Sequence, residues 1–538
     1  MIALPDRVWW DHGVVYEIYP RSFQDGNGDG IGDLEGIRRR LDYLSWLGVD
    51  AIWIAPIYSS PMADGGYDVS DYRGIDPIFG TVANFEHLLT EAHARGLKVI
   101  LDFVPNHTSD QHRWFLESRS SRDNLRRDWY IWRDPAPDGG PPNNWLANFG
   151  GSGWEYDAVT GQYYYHAFLK EQPDLNWRNP DVRTAMYDVL RFWLDRGVDG
   201  FRVDVLWLLI KDDQFRDNPP NPAWQPNQPG IDRLLQRYSA DRPEVHDVVA
   251  EMRGVLDTYP SRVLIGEVYL PFERLVAYYG RDMKGAQLPF NFQLIFAPWR
   301  AADIARIVEE YGAALPKDAA PNWVLGNHDQ KRIATRVGSS GARLGAMLLL
   351  TLRGTATIYY GDELGLKNVA IPQDRVQDRW EKNEAGFGRG RDPARTPMPW
   401  DNSPNAGFTT GAPWLPVGPD HEARNVEAFI ANQRSILNLY RRLIALRREH
   451  SALSVGRFAA VQAAENVFAF ERNDGDTRLL VVLNFAQEQR QVTLPTDADH
   501  AMTLLSTCLD RDDEYVQATL KLRAAEGVVL KLIERKIS

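Results

Sequence analysis

Four carboxylic acids stand at or just after the ends of short apolar runs that are widely separated along the chain. They are Asp102, Asp204, Glu267 and Asp329. Any one of them is explained equally well as the N-cap of a following helix. The four together, with Arg202, His107 and His328, favour a shared site, because sites on parallel barrels collect groups from the ends of several strands. The sequence therefore predicts a carboxylate-rich catalytic site.

The segment Gly200-Phe-Arg-Val-Asp204 places an arginine two residues before an acid. Side chains two apart on a strand point to the same side, so Arg202 is expected beside Asp204, where a guanidinium favours the ionised acid. An ionised carboxylate suits a nucleophile, and a buried structural ion pair is the alternative. Glu267 lies in the apolar run 263–268, whose side chains raise the pKa of a carboxyl group and suit a general acid.

A nucleophilic carboxylate facing a protonated carboxyl group is what glycoside cleavage requires. A separation of about 5 Å supports a covalent sugar–enzyme intermediate, a wider gap supports inversion, and the sequence leaves this distance open. Asp329, in Gly326-Asn-His-Asp329, is expected to bind sugar hydroxyls or to stabilise a developing oxocarbenium ion, with His328 as a further hydrogen-bond donor. An Asx-turn is the alternative for this segment.

Eight short apolar runs alternate with amphipathic stretches through most of the chain. The helical stretches include residues 34–47, 82–95, 181–196 and 245–256. This repeated strand–helix order predicts an α/β fold, the (β/α)8 TIM barrel, with a doubly wound open sheet as the alternative. The predicted strands cover residues 14–19, 51–57, 97–104, 200–205, 263–268, 288–295, 323–326 and 355–360.

Two long interruptions break this order, at about residues 105–178 and 362–430. The first follows the third strand and is rich in tryptophan, proline, glycine and asparagine, so we expect an inserted subdomain on the face of the barrel where active sites lie. Alternating apolar segments near the end of the chain predict an antiparallel β-domain. The predicted units are a barrel of residues 1–104 and 179–454, an inserted subdomain B of residues 105–178, and a C-terminal β-domain of residues 455–538.

The composition bounds the partners and the compartment. The 538 residues carry a formal net charge of −12, which disfavours nucleic acid because a phosphate backbone attracts cations. The single cysteine, Cys508, suits a reducing compartment. No window approaches 18 uninterrupted apolar residues, and residues 1–10 lack an apolar run of signal-peptide length. We expect a cytoplasmic protein that binds small molecules and neither membranes nor nucleic acid, and a homodimer is left open.

Four segments, in order along the chain, resemble the four signature motifs of the α-amylase family of glycoside hydrolases (family 13), in its α-glucosidase and oligo-1,6-glucosidase branch. These segments are residues 102–107, 200–204, 266–268 and 327–329, and residues 172–177 and 354–365 resemble two further motifs of that branch. The resemblance covers nearly the whole chain. The roles that it implies are nucleophile for Asp204, acid/base for Glu267, third essential carboxylate for Asp329, and contacts to the sugar for Arg202, His107 and His328.

Further positions resemble the pocket in which this branch binds a terminal sugar. Asp64 and Arg391 match residues that grip the non-reducing end. Tyr67 matches a tyrosine that stacks under the sugar, and Phe168 matches another wall residue. A grip on the terminal hydroxyls closes the site at one end, which implies removal of single glucosyl units from short chains. A surface ion pair is the alternative for Asp64 and Arg391.

A separate segment, residues 25–33, carries oxygen-bearing side chains at alternate positions with a glycine at the sixth, a spacing that suits calcium. The terminal glutamate of an EF-hand is absent, and a solvated turn is the alternative. The resemblance implies a structural Ca²⁺, or Mg²⁺, at this loop, and no catalytic metal or organic cofactor. The predicted ligands are Asp25, Asn27, Asp29, Ile31 and Asp33.

These observations predict a retaining, exo-acting α-glucosidase that hydrolyses maltose-type α-1,4 or isomaltose-type α-1,6 bonds of short oligosaccharides. Transglucosylation follows, because an alcohol that displaces water attacks the same covalent intermediate. The linkage stays open, since Val205 resembles the residue of α-1,6-cleaving members while residues 206–208 depart from them. A sucrose or maltose isomerase is the second enzymatic interpretation, and a barrel reused as a binding or transporter-subunit domain is the alternative without catalysis.

Overall fold

The computed structural model of the protein describes residues 8–534. Residues 1–7 and 535–538 lie outside the described part. The prediction that residues 1–10 contain no signal peptide therefore falls mostly on residues that are not described. Eight parallel strands alternate with helices along the chain. They are β1 (Val14–Ile18), β2 (Ala51–Ile54), β3 (Lys98–Phe103), β4 (Gly200–Val203), β5 (Val263–Gly266), β6 (Leu288–Pro289), β7 (Asn322–Val324) and β8 (Thr355–Tyr359).

The eight strands form one sheet in the order β6-β5-β4-β3-β2-β1-β8-β7, and every pairing within it is parallel. A parallel bridge between Asn291, just after β6, and Trp323 on β7 joins the two ends of this order. The sheet therefore closes on itself. The predicted (β/α)8 class is confirmed, and the open-sheet alternative is wrong.

Amphipathic helices cover the outside of the barrel. In the helix Pro180–Leu194, Met186, Val189, Leu190 and Trp193 are buried at the three- and four-residue spacing of one helix face. The predicted helix 34–47 divides at Arg40 into two shorter helices. The main barrel helices are Leu34–Arg39, Leu41–Leu47, Val82–Ala94, Pro180–Leu194, Val245–Leu256, Ala301–Ala314, Ile333–Thr351 and Ile436–Glu449.

The sixth strand is much shorter than the sequence predicts. Of residues 288–295, only Leu288–Pro289 is a strand, and the helix Gln293–Phe296 begins soon after it. The side chain of Asn291 accepts a hydrogen bond from the backbone N–H of Gln293 at 3.0 Å, which turns the chain out of the extended conformation. The apolar pattern of this run therefore spans a turn and not a single strand.

Side chains on the barrel strands alternate between the barrel interior and the helix layer. Val15, Trp53 and Ile100 belong to a cluster inside the barrel, whereas Ile52 and Ile54 pack with the surrounding helices. Nearer the carboxyl ends, the inward positions pass from apolar to charged residues. This change of residue type is what creates a polar site on a closed apolar core.

The chain between β3 and the helix Pro180–Leu194 forms a separate small unit. It contains the helix Arg113–Ser120 and an antiparallel sheet. A bridge between His107 and Asp174 pairs the two ends of this segment where they leave the barrel. The three strands of the sheet, in spatial order, are Trp132–Arg133, Gln162–Tyr165 and Trp154–Asp157.

Residues 457–534 contain an antiparallel sheet of six strands. One face of this sheet, with Phe468 and Val481, packs against the barrel helices, and the other face, with Ala469 and Val482, belongs to a core of its own. Among residues 8–534, no helix has the length and apolar character of a membrane span. The strands, in spatial order, are Arg457–Val461, Val467–Asp474, Thr477–Asn484, Gly527–Glu534, Ala498–Ser506 and Tyr515–Val516.

Candidate active site

A cavity of about 640 Å³ lies at the carboxyl ends of the barrel strands. Two of the ten residues predicted for the active site, Arg202 and His328, are fully buried and do not line this cavity. The other eight are brought together on its walls. They are Asp64, Tyr67, His107, Phe168, Asp204, Glu267, Asp329 and Arg391.

The guanidinium of Arg202 connects three buried carboxylates beneath the cavity. The register of β3 and β4 places Asp102 directly opposite Arg202. Nη1 of Arg202 donates to Oδ1 of Asp102 at 2.9 Å and to Oδ1 of Asp204 at 2.7 Å. Nη2 lies 2.8 Å from Oε2 of Glu267. Asp204 and Glu267 therefore share one cation and face the same cavity.

Burial and charge set the protonation of these acids. Burial raises the pKa of Asp102 to about 6 and that of Glu267 to about 7, against the opposing effect of Arg202. Burial also raises the pKa of Asp204, and the guanidinium of Arg202 opposes that shift. Glu267 consequently keeps a proton up to about neutral pH.

Val205, the residue after Asp204, has a backbone conformation that is unusual for its type. Its φ of 39° and ψ of 46° lie in the left-handed region, which a β-branched side chain rarely adopts. In this conformation the N–H of Val205 donates to Oε2 of Glu267 at 2.8 Å. A strained backbone therefore fixes the position of a carboxyl group in the cavity.

A second cluster of ions includes the residues predicted to grip the terminal sugar. Nη2 of Arg391 donates to Oδ1 of Asp64 and to Oδ1 of Asp378, each at 2.6 Å. Nη1 of Arg391 lies 3.5 Å from Oδ1 of Asp329, and Nη2 of Arg395 donates to the same oxygen at 2.8 Å. Asp64 and Arg391 are both buried, so the surface-pair alternative is not what the structure contains.

His328 holds Tyr67 in place from below. Its Nδ1 lies 2.6 Å from Oε1 of the buried Glu17, and its Nε2 lies 2.7 Å from the hydroxyl of Tyr67. The two rings are stacked with centroids 5.4 Å apart. Burial lowers the pKa of His328 to about 3, so the ring is neutral at physiological pH. For Asp329, burial raises the pKa, but the nearby cationic groups outweigh this and hold the pKa of Asp329 well below its usual range.

His107 is also neutral, because burial lowers its pKa to about 4. Its Nε2 lies 3.0 Å from the carbonyl oxygen of Tyr67, and its ring is 5.2 Å from that of Phe168. The amide of Gln172 donates to Oδ2 of Asp64 at 3.2 Å. Aromatic rings and neutral hydrogen-bonding groups therefore surround Asp64, an arrangement suited to a sugar ring and its hydroxyls.

Sequence reasoning missed three residues that hold this site together: Glu17, Asp378 and Arg395. Arg395 lies four residues after Arg391, so its position beside a predicted site residue was a usable signal. Glu17 sits two residues from Val15 on β1 and shares its inward direction, which was a weaker signal. Asp378 lies in a long loop without periodicity, and only the folded structure places it against Arg391.

The five predicted metal ligands lie together in the loop before the helix Leu34–Arg39. The carboxylate of Asp25 accepts hydrogen bonds from three backbone N–H groups of the loop at 2.7–2.9 Å. The side-chain oxygens of Asn27 and Asp29 each accept from the N–H two residues further on, the second of these being that of Ile31. Asp33 caps the helix.

This loop has a donor set that fits a hard divalent cation. Asp25 and Asp33 are buried. Burial raises the pKa of Asp33, and the charges of Asp25 and Asp29 raise it further, against two backbone hydrogen bonds. Acids that repel one another in a buried loop are stabilised by a cation with oxygen ligands.

Comparisons with known proteins agree with this geometry. The family described as alpha amylase, catalytic domain, matches residues 17–456, and a family described as the alpha-amylase SusG C-terminal domain matches residues 467–529. The chain is 40% identical to an oligo-1,6-glucosidase of Parageobacillus thermoglucosidasius, over 98% of this chain and 99% of that protein. It is 42% identical to a probable alpha-glucosidase of Rhizobium meliloti (strain 1021), over 91% of this chain and 92% of that protein.

Among solved structures, the chain is similar to an alpha-glucosyl transfer enzyme, XgtA. The TM-score is 0.92 at 40% identity, over 98% of this chain and 100% of that one. The likeness therefore extends over the barrel, the segment between β3 and β4, and the C-terminal sheet.

Replacing Arg202 by methionine tests whether its charge holds the buried acids. Burial raises the pKa of Asp102 and of Glu267, and Arg202 counteracts this. Without Arg202, the folded state carries unpaired charge at high pH and loses it as the acids take up protons at lower pH. We expect the Arg202→Met variant to have a melting temperature further below that of the wild type at about pH 8 than at about pH 5.

The matched control is Arg300→Met, which removes an exposed arginine paired with Asp303. Its melting temperature should stay close to that of the wild type at both pH values. If the melting temperature of Arg202→Met lies equally far below that of the wild type at both pH values, the side chain acts by packing and not by its charge.

Proposed function

Because the chain belongs to the α-amylase family of glycoside hydrolases, we propose that it is a retaining, exo-acting α-glucosidase. It removes terminal α-glucosyl units from short oligosaccharides. The observation that carries this proposal is the contact of one buried guanidinium, that of Arg202, with both Asp204 and Glu267 at the wall of a single cavity. Such an arrangement supplies a nucleophile and a proton donor to one sugar.

In the first step of the proposed reaction, a carboxylate oxygen of Asp204 attacks the anomeric carbon of the terminal glucose. Glu267 gives its proton to the glycosidic oxygen, so the bond to the leaving group breaks as the bond to Asp204 forms. A pKa of about 7 suits Glu267 for this transfer at neutral pH. The contact with Arg202 favours the ionised form of Asp204.

In the second step, Glu267 acts as a base. It takes a proton from a water molecule, whose oxygen attacks the same carbon and releases Asp204. The configuration at the anomeric carbon is inverted twice and is therefore retained. An alcohol in place of the water gives a glucoside, so we also propose transglucosylation. The relative XgtA is itself described as a glucosyl transfer enzyme.

The other ion cluster is proposed to bind the terminal glucose. Asp329 remains ionised because cationic neighbours lower its pKa, so it is placed to accept hydrogen bonds from ring hydroxyls and to stabilise positive charge on the sugar. The buried pair of Asp64 and Arg391 closes this end of the cavity. A closed end leaves room for one glucosyl unit beyond the scissile bond, which makes the enzyme exo-acting.

We propose cleavage of both α-1,4 and α-1,6 bonds, since the relatives named above include an oligo-1,6-glucosidase and a probable alpha-glucosidase. The side chain of Val205 lines the cavity next to Asp204. It therefore contacts the region where a leaving sugar of either linkage is held.

Product analysis tests the proposed activity. The protein is incubated with maltose, isomaltose and sucrose, and products are followed by chromatography and by NMR of the anomeric protons. We expect free glucose in which the unit cleaved from the non-reducing end appears first as the α-anomer, and a loss of about 10⁴-fold or more in kcat for Asp204→Asn, because the nucleophile is removed. The matched control, Asp138→Asn, changes an exposed acid remote from the cavity and should retain activity.

Two results would contradict the proposal. Release of the β-anomer first would mean inversion, and accumulation of a rearranged disaccharide instead of glucose would favour an isomerase.

We further propose that the loop of residues 25–33 binds a structural Ca²⁺, or Mg²⁺, through Asp25, Asn27, Asp29, Asp33 and the backbone carbonyl of Ile31. The bound ion would neutralise the buried acids and hold the loop against the barrel. It takes no part in the reaction steps described above.

Chelation tests the metal proposal. EDTA should lower the melting temperature of the wild type by about 2 °C or more, and added Ca²⁺ should restore it, because an ion that binds the folded state stabilises it. The Asp29→Ala variant should have a lower melting temperature than the wild type before EDTA is added, and EDTA should lower that temperature by less. Asp138→Ala, which changes an acid in an exposed turn that also accepts a backbone hydrogen bond, should respond as the wild type does. An unchanged melting temperature in EDTA, with no metal found by elemental analysis, would refute the site.

A further inference from the structure

Two loops that are far apart in the sequence are joined by an ion pair at the wall of the cavity. Asp232 belongs to the loop between β4 and the helix Val245–Leu256, and Arg389 belongs to the loop after β8. Nη2 of Arg389 donates to Oδ2 of Asp232 at 2.8 Å. Both residues line the same cavity as Asp204 and Glu267. The pair therefore bridges two walls of the space that holds the substrate.

The two loops are positioned by contacts on either side of this pair. The backbone N–H of Gly230 donates to Oε1 of Glu384 at 3.3 Å. Ile231, next to Asp232, is buried, with an exposed fraction of 6%. The ring of Trp380 lies 5.1 Å from that of Phe149 in the segment between β3 and β4. The first of these hydrogen-bond and ring contacts joins the two loops directly, the second fixes the loop after β8 against the neighbouring segment, and the ion pair is a further bridge between the two loops.

Two other residues of the cavity wall are exposed to solvent. Phe296 is 58% exposed, and Lys331 is also exposed, although both line the cavity. The side chains of Asp232 and Arg389 are 41% and 34% exposed, so this ion pair lies where the cavity meets solvent.

We propose that the Asp232–Arg389 ion pair bars one side of the cavity mouth and thereby favours disaccharides over longer chains. A second sugar unit on the leaving-group side must either pass the narrowed opening or displace the pair. This inference rests on the proposed glucosidase activity and adds to it a determinant of chain length. Because the pair is partly exposed, its effect is modest, on the order of two- to five-fold.

The ratio of kcat/KM for a trisaccharide to kcat/KM for the corresponding disaccharide tests this proposal. Maltotriose and maltose form one pair of substrates, and isomaltotriose and isomaltose form the other. For the Asp232→Arg and Arg389→Asp single variants, we expect the ratio to rise about two- to five-fold above that of the wild type. In the double variant, which restores a pair with reversed charges, the ratio should return towards the wild-type value.

The matched control is the pair formed by Arg442 and Asp512, which is similarly exposed and also joins distant segments, at 2.7 Å. Charge reversal there, as Arg442→Asp and Asp512→Arg, should leave the ratio unchanged. A second measurement uses the wild type alone. High salt screens a partly exposed pair, so the ratio should rise with ionic strength in the wild type and not in an Asp232→Asn/Arg389→Gln double variant.

The outcomes separate this inference from the activity on which it rests. A protein that releases no glucose from any of these sugars would refute the proposed function. Hydrolysis with a ratio that is the same in the wild type and in both single variants would overturn the role of the ion pair alone. The role of the ion pair would also be overturned if the Asp232→Arg/Arg389→Asp double variant had the same trisaccharide-to-disaccharide ratio as the single variants. Electrostatic pairing would then not be the cause of the change.

Discussion

The catalytic arrangement depends on a single buried guanidinium. Arg202 has no exposed surface, and a cation in that position is costly unless anions surround it. Asp102, Asp204 and Glu267 meet this requirement from three neighbouring strands, β3, β4 and β5. These three strands have to pair in the correct register for the contacts to form, so the register of the sheet and the chemistry of the cavity are set together.

The end of the cavity that is proposed to bind the terminal glucose is built differently. Arg391 and Arg395 come from the long loop after β8, and they meet Asp64 and Asp329 from other loops. Asp204 and Glu267 therefore lie directly after the barrel strands β4 and β5, whereas the groups that are proposed to select the sugar lie on longer loops. This division lets the loops differ among relatives with different substrates while the carboxylates stay in place.

Most of the barrel and its acids could be predicted from the sequence, because the alternation of apolar residues and the inward direction of side chains at strand ends are local properties. Asp204 and Glu267 could be predicted for this reason. Asp378 could not, since its contact with Arg391 depends on the path of a long loop without periodicity. The sixth strand was misjudged because the side chain of Asn291 accepts a hydrogen bond from the backbone N–H of Gln293, and this turn ends the strand within the apolar run. The domain limits, the bound ion, the cytoplasmic location and the homodimer stay predictions.

The most direct test of the account is to trap the covalent intermediate. A glucosyl fluoride that carries a second fluorine on the sugar slows the release of the intermediate, and mass spectrometry of a digest then locates the attached sugar. We predict one glucosyl group on the peptide that contains Asp204 and none in the Asp204→Asn variant. A sugar attached to Glu267 or Asp329, or full turnover with no attached sugar at any time, would contradict the assignment of the two carboxylates held by Arg202.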